Sequence, residues 1–141
     1  MTIAAPDKRI LYLSGMHSGS THDYLVLQLC FPPQQDWFEE LKVRLDLGFQ
    51  GFADKYKCME LFIPFKKKRV AKGENNELTA EQQQINKEQA GERIVVEHSI
   101  GGMKRYRILC NRLRIKATDF MNTICGVCAG LWNFTLPKIN T

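Results

Sequence analysis

The sequence predicts a mixed α/β fold, and three observations carry that expectation. Short apolar runs with strand character stand at residues 9–14, 41–45 and 61–65, separated by segments of helical spacing. A carboxylate, Asp46, closes the second run before a glycine-containing turn, where open α/β sheets place ligand-binding residues. A helical stretch at residues 93–106 then sets Arg93, Glu97 and Lys104 on one face, at offsets of four and seven.

Residues 1–8 show no periodicity and read as a frayed lead-in. Arg9-Ile10-Leu11-Tyr12-Leu13-Ser14, bounded by Gly15, reads as a buried strand. After a loop, Ser20 or Thr21 caps a helix over residues 22–30, with Asp23 in the first turn where a negative charge suits the helix dipole. His22-Asp23 beside a strand end is either a functional pair or ordinary capping chemistry. Pro32-Pro33 stops that helix. Residues 34–41 form an amphipathic helical stretch with Trp37 and Phe38 inward and Glu39 and Glu40 outward.

Leu41-Lys42-Val43-Arg44-Leu45 alternates apolar and basic residues as a half-buried strand does, and Asp46 after it is either a turn former or a ligand residue. Leu61-Phe62-Ile63-Pro64-Phe65 is a further strand, with Pro64 assigning it to an edge or a terminus. The cations Lys66-Lys67-Lys68-Arg69 follow, as a solvated loop or a phosphate-gripping patch. Residues 73–76 are a polar turn. Thr79 caps a Gln- and Glu-rich helix from Ala80, with Gln82 at the capping-box position and a bend or interruption near Gly91. Residues 108–116 form a basic connector with Arg112, Arg114 and Lys116 on alternate positions. Thr118 or Asp119 starts a buried apolar helix that runs to about Phe134, Pro137 stops it, and the tail from Lys138 is loose.

A chain of 141 residues with 44% hydrophobic content suits one domain with its own core, spanning residues 1–141. Its formal charge of +5 leans toward a polyanionic partner without proving nucleic acid. Cys30, Cys58, Cys110, Cys125 and Cys128 are an odd number among apolar neighbours, with no secretory leader ahead of them, so an intracellular chain with reduced thiols is expected. Cys125-Gly126-Val127-Cys128 has no second ligand pair at zinc spacing and lies in an apolar run, which favours core packing over metal or redox chemistry. That run is too short for a membrane span, and no membrane partner is expected.

Around Glu97, one carboxylate is flanked by cations on a mostly apolar helix, a set that suits work on phosphate. The carboxylate can hold a divalent metal through oxygen while the cations hold nucleic-acid backbone beside it. Simple pairing of Arg93 and Lys104 with Glu97 on a solvated face is the competing reading.

Ser18-Gly19-Ser20-Thr21-His22-Asp23, Leu45-Asp46-Leu47-Gly48-Phe49-Gln50-Gly51, Ile63-Pro64-Phe65-Lys66-Lys67-Lys68, Leu78-Thr79-Ala80-Glu81-Gln82, Arg93-Ile94-Val95-Val96-Glu97-His98-Ser99-Ile100-Gly101-Gly102-Met103-Lys104-Arg105-Tyr106-Arg107 and Gly130-Leu131-Trp132-Asn133 stand in the order seen in DDE-superfamily transposases. The chain resembles those of the insertion-sequence family five and Harbinger-like type over nearly its whole length. The resemblance implies an RNase H-like fold in which three carboxylates hold two divalent ions, Mg²⁺ or Mn²⁺, for attack on a phosphodiester. Asp46 matches the second acidic residue and Glu97 the third. Arg93 and Lys104 match the basic positions that meet DNA phosphate or transition-state charge, and Lys66, Lys67, Lys68, Arg69 and Arg105 add DNA-binding charge. His98 and Asp23 are accessory positions, Asp23 without a metal role.

The resemblance also departs from the family. The first acidic residue and the helix-turn-helix region lie upstream of what resembles residues 10–14, so the expected fold is incomplete at its N-terminal strands. Ala90 stands where related signatures carry a Tyr. The expected function is that of a DDE transposase or endonuclease fragment, inactive alone. Its partners would be insertion-sequence terminal repeats, target DNA, and either further copies of itself or the upstream half of the transposase. Its place would be the cytoplasm, on the nucleoid in a bacterium, or the nucleus in a eukaryote. A noncatalytic DNA-binding or regulatory fragment is the second reading. A generic basic α/β domain, with Asp46 and Glu97 far apart, is the third.

Overall fold

The structure is a computed structural model that describes residues 1–67, 77–111 and 117–137, with the side chains of Glu92 and Arg93 left aside. The expectations for residues 73–76, for Arg112, Arg114 and Lys116, and for the tail from Lys138 lie outside the described residues. The architecture is mixed α/β, as predicted. The described strands form two separate two-stranded sheets rather than the one sheet that the element order suggests. Each strand has only three or four residues, and each finds its partner within its own part of the chain. The chain divides into two compact units, one of Met1–Gly19 with Ile94–Thr141 and one of Ser20–Arg93.

In the first unit, strand β1 (Thr2–Ala4) pairs antiparallel with β2 (Ile10–Leu13), and the register shifts between Ile3 and Ala4. The opening of the chain is therefore a strand and not a frayed lead-in. Its three residues are too few to show a period, and the pairing comes from the turn between the strands. There Asp7 Oδ1 accepts from the Arg9 N–H at 3.0 Å, and the Lys8 N–H donates to the Ala5 carbonyl at 2.9 Å. Lys8 closes the turn at φ 72°, a left-handed conformation that is costly for a residue with a Cβ. β2 is half-buried rather than buried, since Ile10 is in the core while Leu11 is 64% exposed.

Helix α4 (Thr118–Thr135) matches its expected bounds and packs on β2. Ile124, Cys128, Ala129 and Trp132 face a core shared with Ile10 and Met103. Only that face is buried: Val127, Leu131 and Phe134 are exposed, which corrects the expectation of a buried helix. The Asn133 amide clamps the strand backbone at two points, Oδ1 accepting from the Ile10 N–H and Nδ2 donating to the Ile10 carbonyl, both at 2.8 Å. Arg9 donates to the Pro137 carbonyl at 3.0 Å beyond the helix end.

In the second unit, helix α1 (Asp23–Cys30) starts one residue later than expected. Its N-cap is His22, whose Nδ1 accepts from the Tyr24 N–H at 3.2 Å, rather than Ser20 or Thr21. Residues 34–41 are turns, not an amphipathic helix. Phe38 is buried there as expected, but Trp37 is exposed and donates through Nε1 to the Pro32 carbonyl at 2.9 Å. Strand β3 (Lys42–Arg44) pairs in parallel with β4 (Glu60–Phe62), the crossover holding a short 3₁₀ turn (Leu47–Phe49) and helix α2 (Phe52–Lys55). Lys42 bonds Glu60 across the strands at 2.7 Å, and that hydrogen bond holds the Glu60 carboxyl below its ordinary value. Gly51 sits at φ 91°, a conformation that favours glycine, and Tyr24 donates its hydroxyl to the Gly51 carbonyl at 2.7 Å. Phe31, Phe38, Phe52 and Tyr56 form an aromatic core. Burial, with Tyr24 nearby, pushes the Tyr56 phenol up.

Helix α3 (Ala80–Lys104) is continuous through Gly91, against the expected bend. Glycine costs a helix about 1 kcal/mol relative to alanine, a penalty the flanking good helix formers absorb. Its start is as expected. The Thr79 N–H donates to Gln82 Oε1 at 3.1 Å and the Gln82 N–H to Thr79 Oγ1 at 3.2 Å, a complete capping box.

Candidate nucleic-acid and metal site

Asp46 stands two residues past the observed end of β3, which closes at Arg44, one residue earlier than the sequence suggests. Its Oδ1 accepts from the Leu47 N–H at 2.7 Å and its carbonyl from the Phe49 N–H at 3.0 Å, so it caps the 3₁₀ turn. The turn-forming role is therefore real, and Asp46 is still exposed to solvent. Helix α1 packs against this turn and brings a second carboxylate to it: Asp23 Oδ2 lies 3.8 Å from where a Cβ on Gly48 would be. Asp23 thus belongs with the Asp46 turn, while the His22 ring is committed to capping.

Glu97 lies in the other unit, on the part of α3 from Ile94 onward. Ser99, Gly102 and Met103 are buried there, whereas Glu97, His98, Gly101 and Lys104 are exposed. Seven residues of helix separate Glu97 from Lys104 by about 10 Å along the axis. Neither takes part in a salt bridge among the described residues, so the pairing of Lys104 with Glu97 weighed above does not occur there. The Arg93 side chain lies outside the described ones.

The remaining cations are placed as follows. Lys66 and Lys67 are exposed beyond β4; Lys68 and Arg69 lie outside the described residues. The segment just before them is tied to α3, because the Phe65 N–H donates to Asn86 Oδ1 at 2.9 Å and Asn86 Nδ2 donates to the Phe65 carbonyl at 3.1 Å. Arg105 sets its guanidinium 5.7 Å from the centre of the Trp132 ring.

Three residues that position the Glu97 face carry no chemical motif, and the sequence gives little warning of them. The Ser99 hydroxyl donates to the Lys8 carbonyl at 2.8 Å and lies 2.9 Å from the Val95 carbonyl. Trp132 Nε1 donates to the same Lys8 carbonyl at 2.9 Å. A Cβ on Gly102 would fall 2.3 Å from the Trp132 ring, so only glycine lets helix and indole approach this closely. One backbone carbonyl in the hairpin turn thereby fixes both helices of that unit. The signal that could have found them is a Trp-Asn pair closing an apolar helix opposite a Gly-Gly step.

Asp46 and Glu97 are hard oxygen donors of the type that magnesium and manganese prefer. No group of three or more His, Cys, Asp or Glu able to hold a metal occurs among the described residues. Cys128 is buried in the core, and burial, then Cys125, pushes its thiol up, which agrees with packing rather than chemistry for that pair. No helix among the described residues is long and apolar enough to cross a membrane.

Against known families, the chain matches the model described as DDE superfamily endonuclease over residues 1–133. It belongs to the DDE superfamily endonuclease family. This DDE endonuclease-family chain is also similar to the "Probable transposase for insertion sequence element IS702" of Microchaete diplosiphon, at 32% identity over 122 residues. That match covers 86% of the chain and 40% of the relative's length. No solved structure matches the chain. The family match takes in both the Asp46 turn and the Glu97 helix face.

Proposed function

We propose that this chain is part of a DDE transposase catalytic domain of RNase H-like type, in which Asp46 and Glu97 are two of the metal-holding carboxylates. Lys104 and Arg93 would meet phosphate oxygens of DNA beside Glu97, and Lys66 to Lys68 and Arg69 would add backbone contacts. The observation that supports this reading is the family match over residues 1–133, within which both carboxylates are exposed. The divalent ions of the family would supply Lewis-acid chemistry. The residues of this chain bind and orient: Lys104 neutralises phosphate charge, and Glu97 faces the same linkage on a helix fixed by Ser99 and Trp132. Asp23 sits at the Asp46 turn as a neighbouring negative charge. In this reading the chain alone binds DNA without cutting it. The noncatalytic DNA-binding or regulatory fragment of the sequence reading is the alternative that the same assays test.

The test is a pair of assays on the purified chain. Duplex DNA binding measured by fluorescence anisotropy should weaken steeply with salt, because neutralised phosphates release counterions. Supercoiled plasmid incubated with the chain and Mg²⁺ or Mn²⁺ should remain uncut. Metal-dependent cleavage that is lost in Glu97→Gln would show a complete site in this chain and overturn the proposed inactivity. An absence of DNA binding at low salt would overturn the DNA-facing reading itself.

A further inference from the structure

Gly101 and Gly102 are adjacent in α3, yet the structure accounts for only one of them. At Gly102 the Trp132 ring occupies the space a side chain would need. At Gly101 a Cβ would meet nothing within 4 Å among the described residues. Glycine inside a helix is unfavourable relative to alanine, because it carries more conformational freedom in the unfolded chain. At Gly101 no packing in the described protein compensates for that cost. Gly91, Gly126 and Gly130 are equally open, but their surroundings differ. Gly126 and Gly130 lie on α4, which has one acidic and no basic residue, and Gly91 is followed a turn later by Ile94 and Val95.

Gly101 alone stands on an exposed helical face between a carboxylate one turn before it, Glu97, and a cation one turn after it, Lys104. Neither of these has a salt-bridge partner among the described residues. We infer that Gly101 is a substrate-approach residue. Its bare backbone lets a phosphodiester strand lie against the helix between Glu97 and Lys104, so that Lys104 reaches a nonbridging oxygen of the linkage that Glu97 faces. This inference rests on the DNA-facing reading above and adds a contact residue to it. A methyl group at this position would hold the strand away from both charged groups, and a larger side chain would hold it further.

The experiment compares the wild-type chain with Gly101→Ala, Gly101→Leu and Lys104→Ala. It reads thermal unfolding and the affinity for a short fluorescent DNA duplex at low salt. Alanine and leucine are better helix formers than glycine, so both Gly101 variants should unfold at a higher temperature than wild type. Their DNA affinity should fall, by about tenfold for alanine and by more for leucine, the loss that overpacking a contact produces. Stability and binding moving in opposite directions separates an approach residue from a structural one. If Lys104→Ala weakens binding while both Gly101 variants bind as wild type does, the inference is overturned and the DNA-facing reading stands. If Lys104→Ala changes nothing, or the wild-type chain binds no duplex, the Glu97 face is not the DNA surface and both fall. A lower unfolding temperature in Gly101→Ala would reveal an internal contact and also overturn the inference.

Discussion

Replacing Gly102 with alanine should cost the unit built from the hairpin, the end of α3 and α4 about 3 kcal/mol or more, at the upper end of overpacking effects. The added Cβ would lie 2.3, 2.4 and 2.5 Å from three atoms of the Trp132 ring. A ring met at three atoms cannot escape by a small rotation, and Trp132 is pinned by its hydrogen bond to the Lys8 carbonyl at 2.9 Å. It is also only 8% exposed, so there is no solvent side into which it can swing. The gain of about 1 kcal/mol from a better helix former is overrun by the clash. Chemical denaturation of Gly102→Ala measures the loss directly. The same substitution in a Trp132→Leu background should be close to neutral, because the ring that it strikes is gone. If Gly102→Ala stabilises the chain, the helix and the indole are not in contact.

Phe52→Ala should cost about 3 to 5 kcal/mol, as expected for truncating a fully buried aromatic residue. Phe52 is 0% exposed, stacks on Tyr56 at 4.8 Å between ring centres, and meets Phe38 at 5.5 Å. Tyr56 is held in turn by its hydroxyl, which donates to the Phe31 carbonyl at 2.6 Å, and Phe31 lies 5.4 Å from Phe38. These rings join the end of α1, the segment after it and α2, the elements that flank the Asp46 turn. Losses of this size rival the whole stability of a small domain. The variant should therefore lose the cooperative unfolding transition of that unit in a denaturant titration, whereas Phe52→Leu should keep it with a lowered midpoint. Wild-type stability in Phe52→Ala would show that the aromatic cluster does not hold the unit together.

Sequence alone made legible the features whose causes are local. The capping box is a reciprocal pair three residues apart, so Thr79 and Gln82 announce the start of α3. The turn at Asp46 and the bounds of α4 follow from side-chain chemistry within a few residues of each. Features decided by distant partners were not legible. β1 is three residues long, and its pairing depends on a turn with Lys8 at positive φ, which no pattern reports. Residues 34–41 carry a helical spacing of apolar residues, yet Pro32 and the aromatic cluster hold them as turns, with the Trp37 indole on the Pro32 carbonyl. Ser99 looks like an ordinary polar residue beside Glu97 until the fold sets the Lys8 carbonyl over it. Asp46 and Glu97 were singled out because they stand in motifs that carry a family resemblance; the residues that orient the Glu97 face were not, because packing restricts only shape.

The proposal that Asp46 and Glu97 are both metal-holding carboxylates is tested most directly by manganese line broadening in the amide NMR spectrum of the chain. Broadening by a paramagnetic ion is detectable even for weak binding and reports which residues lie near the ion. The account predicts that signals around Leu47 and around Glu97 broaden together at the same manganese concentration, and that Asp46→Asn removes both effects. Broadening at one position without the other, or persistence near Glu97 in Asp46→Asn, would contradict it.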